Sequence, residues 1–132
     1  MRQSILNAST QLTGRVLISA IFIMAGVNKL SAYTGTQGYM ESMGIPGTVL
    51  PLVILLEIGA GLAVLLGWRT RIAAFLLAGF SVLSALIFHA NFDDQLQSIL
   101  FMKNLAMAGG FLFLVAGETH AWSMDARLHR QS

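Results

Sequence analysis

Four uninterrupted apolar stretches constrain this chain more than any other feature of it. They run over about 13–31, 49–68, 71–90 and 98–117. Each approaches the roughly 20 residues a helix needs to cross a hydrocarbon layer. Strands of a membrane barrel alternate between lipid-facing and lumen-facing residues, whereas these runs are apolar throughout and read as helices. The chain has 132 residues, 55% of them hydrophobic and only 11% charged. A soluble domain carries roughly 25% charged residues, and a core this small cannot hide so much apolar surface from water. The expected fold is an all-α membrane protein: one domain over 1–132, built as an antiparallel four-transmembrane-helix bundle with a short interfacial helix in the first outer loop.

Short links make neighbouring spans antiparallel. Gly67-Trp68-Arg69-Thr70-Arg71 reads as a tight turn, and Asn91 to Gln97 joins the third and fourth spans. In the longest link, Ala32 to Thr48, Thr36 is expected to cap a short helix ending near Gly44, with Tyr39, Met40 and Met43 on one face. Small residues in the spans, among them Gly26, Gly59, Gly61, Ser81, Ala85, Ala106, Gly109 and Gly110, are expected to let helices approach closely.

Basic residues give the orientation. Arg2, Arg15, Arg69, Arg71, Arg127 and Arg130 fall on one side, and only Lys29 and Lys103 on the other, with Glu41, Asp93 and Asp94. Positive charge stays inside, so both termini are expected in the cytoplasm of a bacterial inner membrane. Val16 to Val27 resembles a signal-peptide core, but no small-residue cleavage site follows and Lys29 stands where one would lie, so a retained first helix is expected.

Composition removes several function classes. The eight basic residues are scattered and make no nucleic-acid patch. Without cysteine there is no disulfide relay and no iron–sulfur ligation. Only His89 lies in a span, while His120 and His129 belong to the C-terminal tail, so bis-histidine haem is not expected, and no metal site is expected either. No hydrolase elbow, phosphate loop or dinucleotide fingerprint occurs.

What remains is a set of ionisable residues inside the apolar runs, where charge is costly and turns toward the bundle interior. Glu57 lies eight residues into the second span, roughly 12 Å deep. A carboxylate at that depth must be paired, protonated or facing a wet cavity. Lys103 sits roughly 8 Å into the fourth span, one turn from Glu57 in depth, and is a candidate partner; Asn104 follows it. Lys29 closes a stripe of Arg15, Ser19, Phe22 and Gly26 on one face of the first span. His89 ends the third. Arg15 and Glu118 are expected to pair near the inner surface. Every span thus places a polar group in its outer half. The expectation is one pocket there, with Glu57 and His89 handling protons and Lys29, Lys103, Asn104 and Tyr39 binding a ligand, either an anion or the oxygens of a quinone head.

The chain resembles the DoxX family of small bacterial and archaeal inner-membrane proteins. The resemblance is carried by Gly14-Arg15, by Ala25-Gly26 with Lys29, by Gly35 to Met40 and Gly44-Ile45-Pro46, by Leu56-Glu57, and by Leu66 to Arg71. Phe88-His89, Lys103-Asn104 with Gly109-Gly110, and Ser123-Met124-Asp125 complete it. It implies a four-helix membrane fold and a link to quinone-dependent oxidoreductases, of which some relatives are subunits, with Lys29, Glu57, His89, Lys103 and Asn104 at the motif positions. Three readings stand open: a membrane component of a quinone-linked redox system with a redox partner protein, a non-catalytic anchor or assembly factor, and a small-solute or proton transporter that a homo-oligomer would complete.

Overall fold

A computed structural model describes residues 2–118 and 120–131. The helices are α1 (Arg2–Ser31), α2 (Tyr33–Ser42), α3 (Leu50–Leu66), α4 (Thr70–Phe88), α5 (Gln95–Ala116) and α6 (Met124–Gln131), with a 3₁₀ turn at Gly47–Val49 before α3. α1, α3 with its leading turn, α4 and α5 are each long and apolar enough to span a bilayer. The molecule is an all-α membrane protein, as its apolar runs require.

The largest departure from the sequence boundaries is at the start of α1. α1 begins at Arg2 rather than near Thr13 and is 30 residues long. That is about 45 Å of helix against a hydrocarbon core of about 30 Å, so its first turns project beyond the bilayer. Those turns mix Gln3, Ser4, Asn7 and Thr10 with Ile5 and Leu6, a composition that hydropathy does not register as a span. The bundle therefore has a terminal end, carrying the start of α1 and all of α6, and a loop end, carrying α2 and the 91–94 link.

α1 packs on α3, α3 on α4 and α4 on α5, whereas α1 and α5 barely meet. The ring of helices is thus left with a seam between its first and last spans. Small residues set the tight crossings. A Cβ at Gly26 would meet Ile58 Cγ1 at 2.5 Å, and one at Gly61 would meet Ile23 Cγ1 at 2.9 Å, which fixes α1 against α3. Gly110 lets Ile18 bridge the seam at one point, 2.8 Å from where its Cβ would stand. Gly59 and Gly109 correct the expectation: a Cβ on either would touch nothing within 4 Å.

The core is small because lipid covers the outside. Phe22, Val64, Leu77 and Phe111 are buried at its centre, whereas Phe113 is 82% exposed and Leu17 and Leu55 also point outward. Phe22 stacks edge-on against Phe111, 5.3 Å between centroids, and against Phe80 at 6.4 Å, making an aromatic layer across three helices.

Candidate functional site

At the loop end, α2 lies across the bundle mouth. It starts at Tyr33, so Thr36 is inside it and donates its hydroxyl to the Ala32 carbonyl instead of capping the helix. Gln37 Nε2 donates to the Gly47 carbonyl at 3.0 Å. Met40 is buried with Leu50 and Ile54, and Tyr39 stacks on Phe88 with ring centroids 5.5 Å apart. α2 is thereby fastened to α3 and α4, and it roofs a cavity of about 280 Å³.

The cavity draws on five helices. Lys29 comes from α1, Tyr39 from α2, Glu57 from α3, Lys103 and Asn104 from α5, and His89 from the end of α4; Phe22, Phe80 and Phe88 supply apolar wall. All six residues singled out from the sequence thus line one space. The close crossing at Gly26 brings α1 near enough to α3 for Lys29 Nζ to reach 2.7 Å from Glu57 Oε1. Glu57 is 2% exposed. Depth makes Lys103 a candidate partner for Glu57, but the pair formed is with Lys29. Depth along the helices could not separate the two, because it carries no information on which face each lysine occupies. Lys103 instead stands at the rim, exposed. His89 Nδ1 lies 2.8 Å from Gln97 Oε1, so the ring donates there and keeps Nε2 for another partner. Asn104 is 8% exposed.

The terminal end holds a second polar assembly that the sequence did not disclose. Arg15, Gly67 to Thr70, and Trp122 to Asp125 meet there. Asp125 accepts from Arg69 N–H at 2.7 Å, from Thr70 N–H at 2.9 Å and from the Thr70 hydroxyl at 2.8 Å. It so caps the start of α4, a helix that has no capping side chain of its own. In return Asp125 N–H donates to the Gly67 carbonyl at 2.9 Å. Burial alone would raise the Asp125 carboxyl, but these donors and the Arg15 charge hold it below the usual value. His120 is lowered, first by burial and then by the Arg15 guanidinium.

Arg15 is 1% exposed. It donates from Nη2 to the Trp122 carbonyl and packs against Gly67, where any Cβ would collide with it. Gly67 also has φ +68, so its lack of a side chain is needed twice. The expected Arg15–Glu118 ion pair does not form among the described residues: Glu118 is exposed, and the one ion pair there is Lys29–Glu57. The signals for this assembly were the Gly-Trp-Arg-Thr-Arg turn and Ser123-Met124-Asp125; what joins them is contact across more than fifty residues, which no local pattern reveals.

Four apolar spans around a roofed cavity with a few polar groups on its wall, latched at the opposite end by a short helix, define a small polytopic membrane protein. The DoxX profile matches residues 10–90, and the chain belongs to the DoxX family. It is 50% identical over 120 residues to inner membrane protein YqjF of Escherichia coli strain K12, covering 91% of this chain and 92% of that one. It is 34% identical over 123 residues to inner membrane protein YphA of the same organism, covering 88% of each. No solved structure matches it. The profile match ends just past His89, so Lys103 and Asn104 lie outside it and inside the reach of both relatives.

Proposed function

We propose that the protein is an inner-membrane component of a quinone- or quinol-linked redox system, with the loop-end cavity as its ligand site. Both relatives are named as inner membrane proteins, and the excess of arginine at the terminal end supports a cytoplasmic position for that end. The observation that carries the reading is the state of the donors. Lys29 is committed to Glu57, which leaves Lys103, Asn104 and Tyr39 as donors on the wall of a mostly apolar cavity.

A quinone fits that donor set. Its flat ring suits the slot among Phe22, Phe80 and Phe88, and its two oxygens require donors on opposite sides. When bound it supplies two-electron chemistry that no side chain here can perform. Lys103 donates to one oxygen and His89 Nε2 accepts from the hydroxyl of the quinol form, Asn104 and Tyr39 flank them, and Glu57 is the group that takes up or returns a proton. Electrons come from or go to a partner protein at the loop end.

The test is gentle purification followed by lipid extraction, with quinol turnover followed in membranes. Quinone is expected to co-purify, and Glu57→Gln is expected to slow turnover at least about tenfold. Absence of quinone together with unchanged turnover overturns the reading.

A second reading, a non-catalytic anchor or assembly factor, is favoured by the Lys29–Glu57 pair, since it sits at the tight α1–α3 crossing where structural glue would be placed. It requires that Glu57→Gln act through stability alone; a stable variant with a lost cellular phenotype removes it.

A further inference from the structure

The seam between α1 and α5 opens at the terminal end into a second cavity of about 440 Å³. Its walls are largely apolar, with Gly14 and Ile18 on α1 and Phe113 and Leu114 on α5. Its polar lining is Gln11, Arg15, Glu118 and His120, of which Arg15 is the buried cation. A guanidinium carries five N–H groups. Here one nitrogen is bonded to the Trp122 carbonyl, while Nε and Nη1 are buried without a partner among the described residues, as is His120 Nδ1. Asp125 contributes negative charge nearby, but its oxygens already accept three hydrogen bonds from Arg69 and Thr70. A charged fork withdrawn from water with two nitrogens unmatched is expensive unless an anion answers it.

We propose that this seam binds an anionic phospholipid, Arg15 taking the phosphate and the groove of Gly14, Ile18, Phe113 and Leu114 taking the first part of an acyl chain. The planar fork of arginine matches phosphate oxygens. α1 and α5 touch sparsely, at Ile18 with Gly110 and at Phe22 with Phe111, and the groove between them is open at the terminal end, where lipid can enter. The apolar groove beside the guanidinium is what selects a lipid phosphate over free phosphate. Basic pockets between spans are the ordinary means of holding acidic lipid heads.

The test uses the full chain in neutral detergent, with phosphatidylglycerol, phosphatidylcholine of equal chain length, and inorganic phosphate as probes. Apparent melting temperature and native mass spectra are the readouts. Phosphatidylglycerol is expected to raise the melting temperature and to stay bound at least about tenfold more tightly than phosphatidylcholine. Arg15→Lys keeps the charge and loses the fork, and should weaken binding about tenfold. Should that variant not fold, Gly14→Leu decides: a Cβ at Gly14 touches nothing within 4 Å, so the leucine extends into the groove, and the lipid shift should vanish while the lipid-free melting point does not fall. Equal stabilisation by phosphatidylcholine, a full shift in Gly14→Leu, or the same shift from inorganic phosphate alone each overturns the proposal.

Discussion

Glu57 and Lys29 illustrate what a single residue can impose in a membrane. A carboxylate 2% exposed persists only with a partner, and at 2.7 Å the lysine serves both as counter-charge and as donor. Breaking such a pair from one side leaves the other charge in a low dielectric. Glu57→Gln or Lys29→Met should each cost about 1–3 kcal/mol, below the full buried-pair penalty because the lysine head is partly open. The double variant should recover most of the loss, which a double-mutant cycle on apparent melting temperature would measure; recovery in a Glu57 and Lys103 pair instead would contradict the geometry. The glycines make a second contrast. Gly109→Ala has open space and gains helix propensity, so it should be neutral or stabilising by up to about 1 kcal/mol. Gly67→Ala meets both the Arg15 side chain and a positive φ and should destabilise by more than about 2 kcal/mol in the same assay.

Among the elements, α6 stands out because hydropathy predicts nothing of it. It is short, polar and without buried residues of its own, yet Asp125 at its start closes the beginning of α4. Asp125→Ala removes a cap and should cost about 1–2 kcal/mol, with faster hydrogen exchange confined to α6 and the first turn of α4. The same latch gives a pH dependence. His120 has its folded value lowered below 6.5, so the unfolded chain binds protons more readily than the native one. Stability is then full above pH 6.5 and falls as pH drops below it. A melting series over pH 7.5 to 5 should show the decline, and His120→Gln should flatten it. The four spans and the outer polar residues were legible because continuous apolar runs and buried charges are rare in any chain and speak for themselves. The α1 extension, the Lys29 pairing and the α6 latch were not, since each depends on azimuth or on contacts distant in sequence.

On the scale of the molecule, one face of α1 connects both polar regions. Arg15 and Lys29 share the stripe of Ser19, Phe22 and Gly26 and stand about 21 Å apart along the axis. Between them Phe22, Phe80 and Phe111 close over one another, and Ile18 meets Gly110. No titratable group bridges that stretch of wall among the residues lining either cavity. A proton hopping along hydrogen bonds needs a stepping stone every few ångströms, and three interlocked rings offer none. The layer is expected to act as insulation. Vesicles densely loaded with this protein should dissipate an imposed pH difference no faster than bare lipid, and what happens chemically on one face of the membrane stays electrically private from the other.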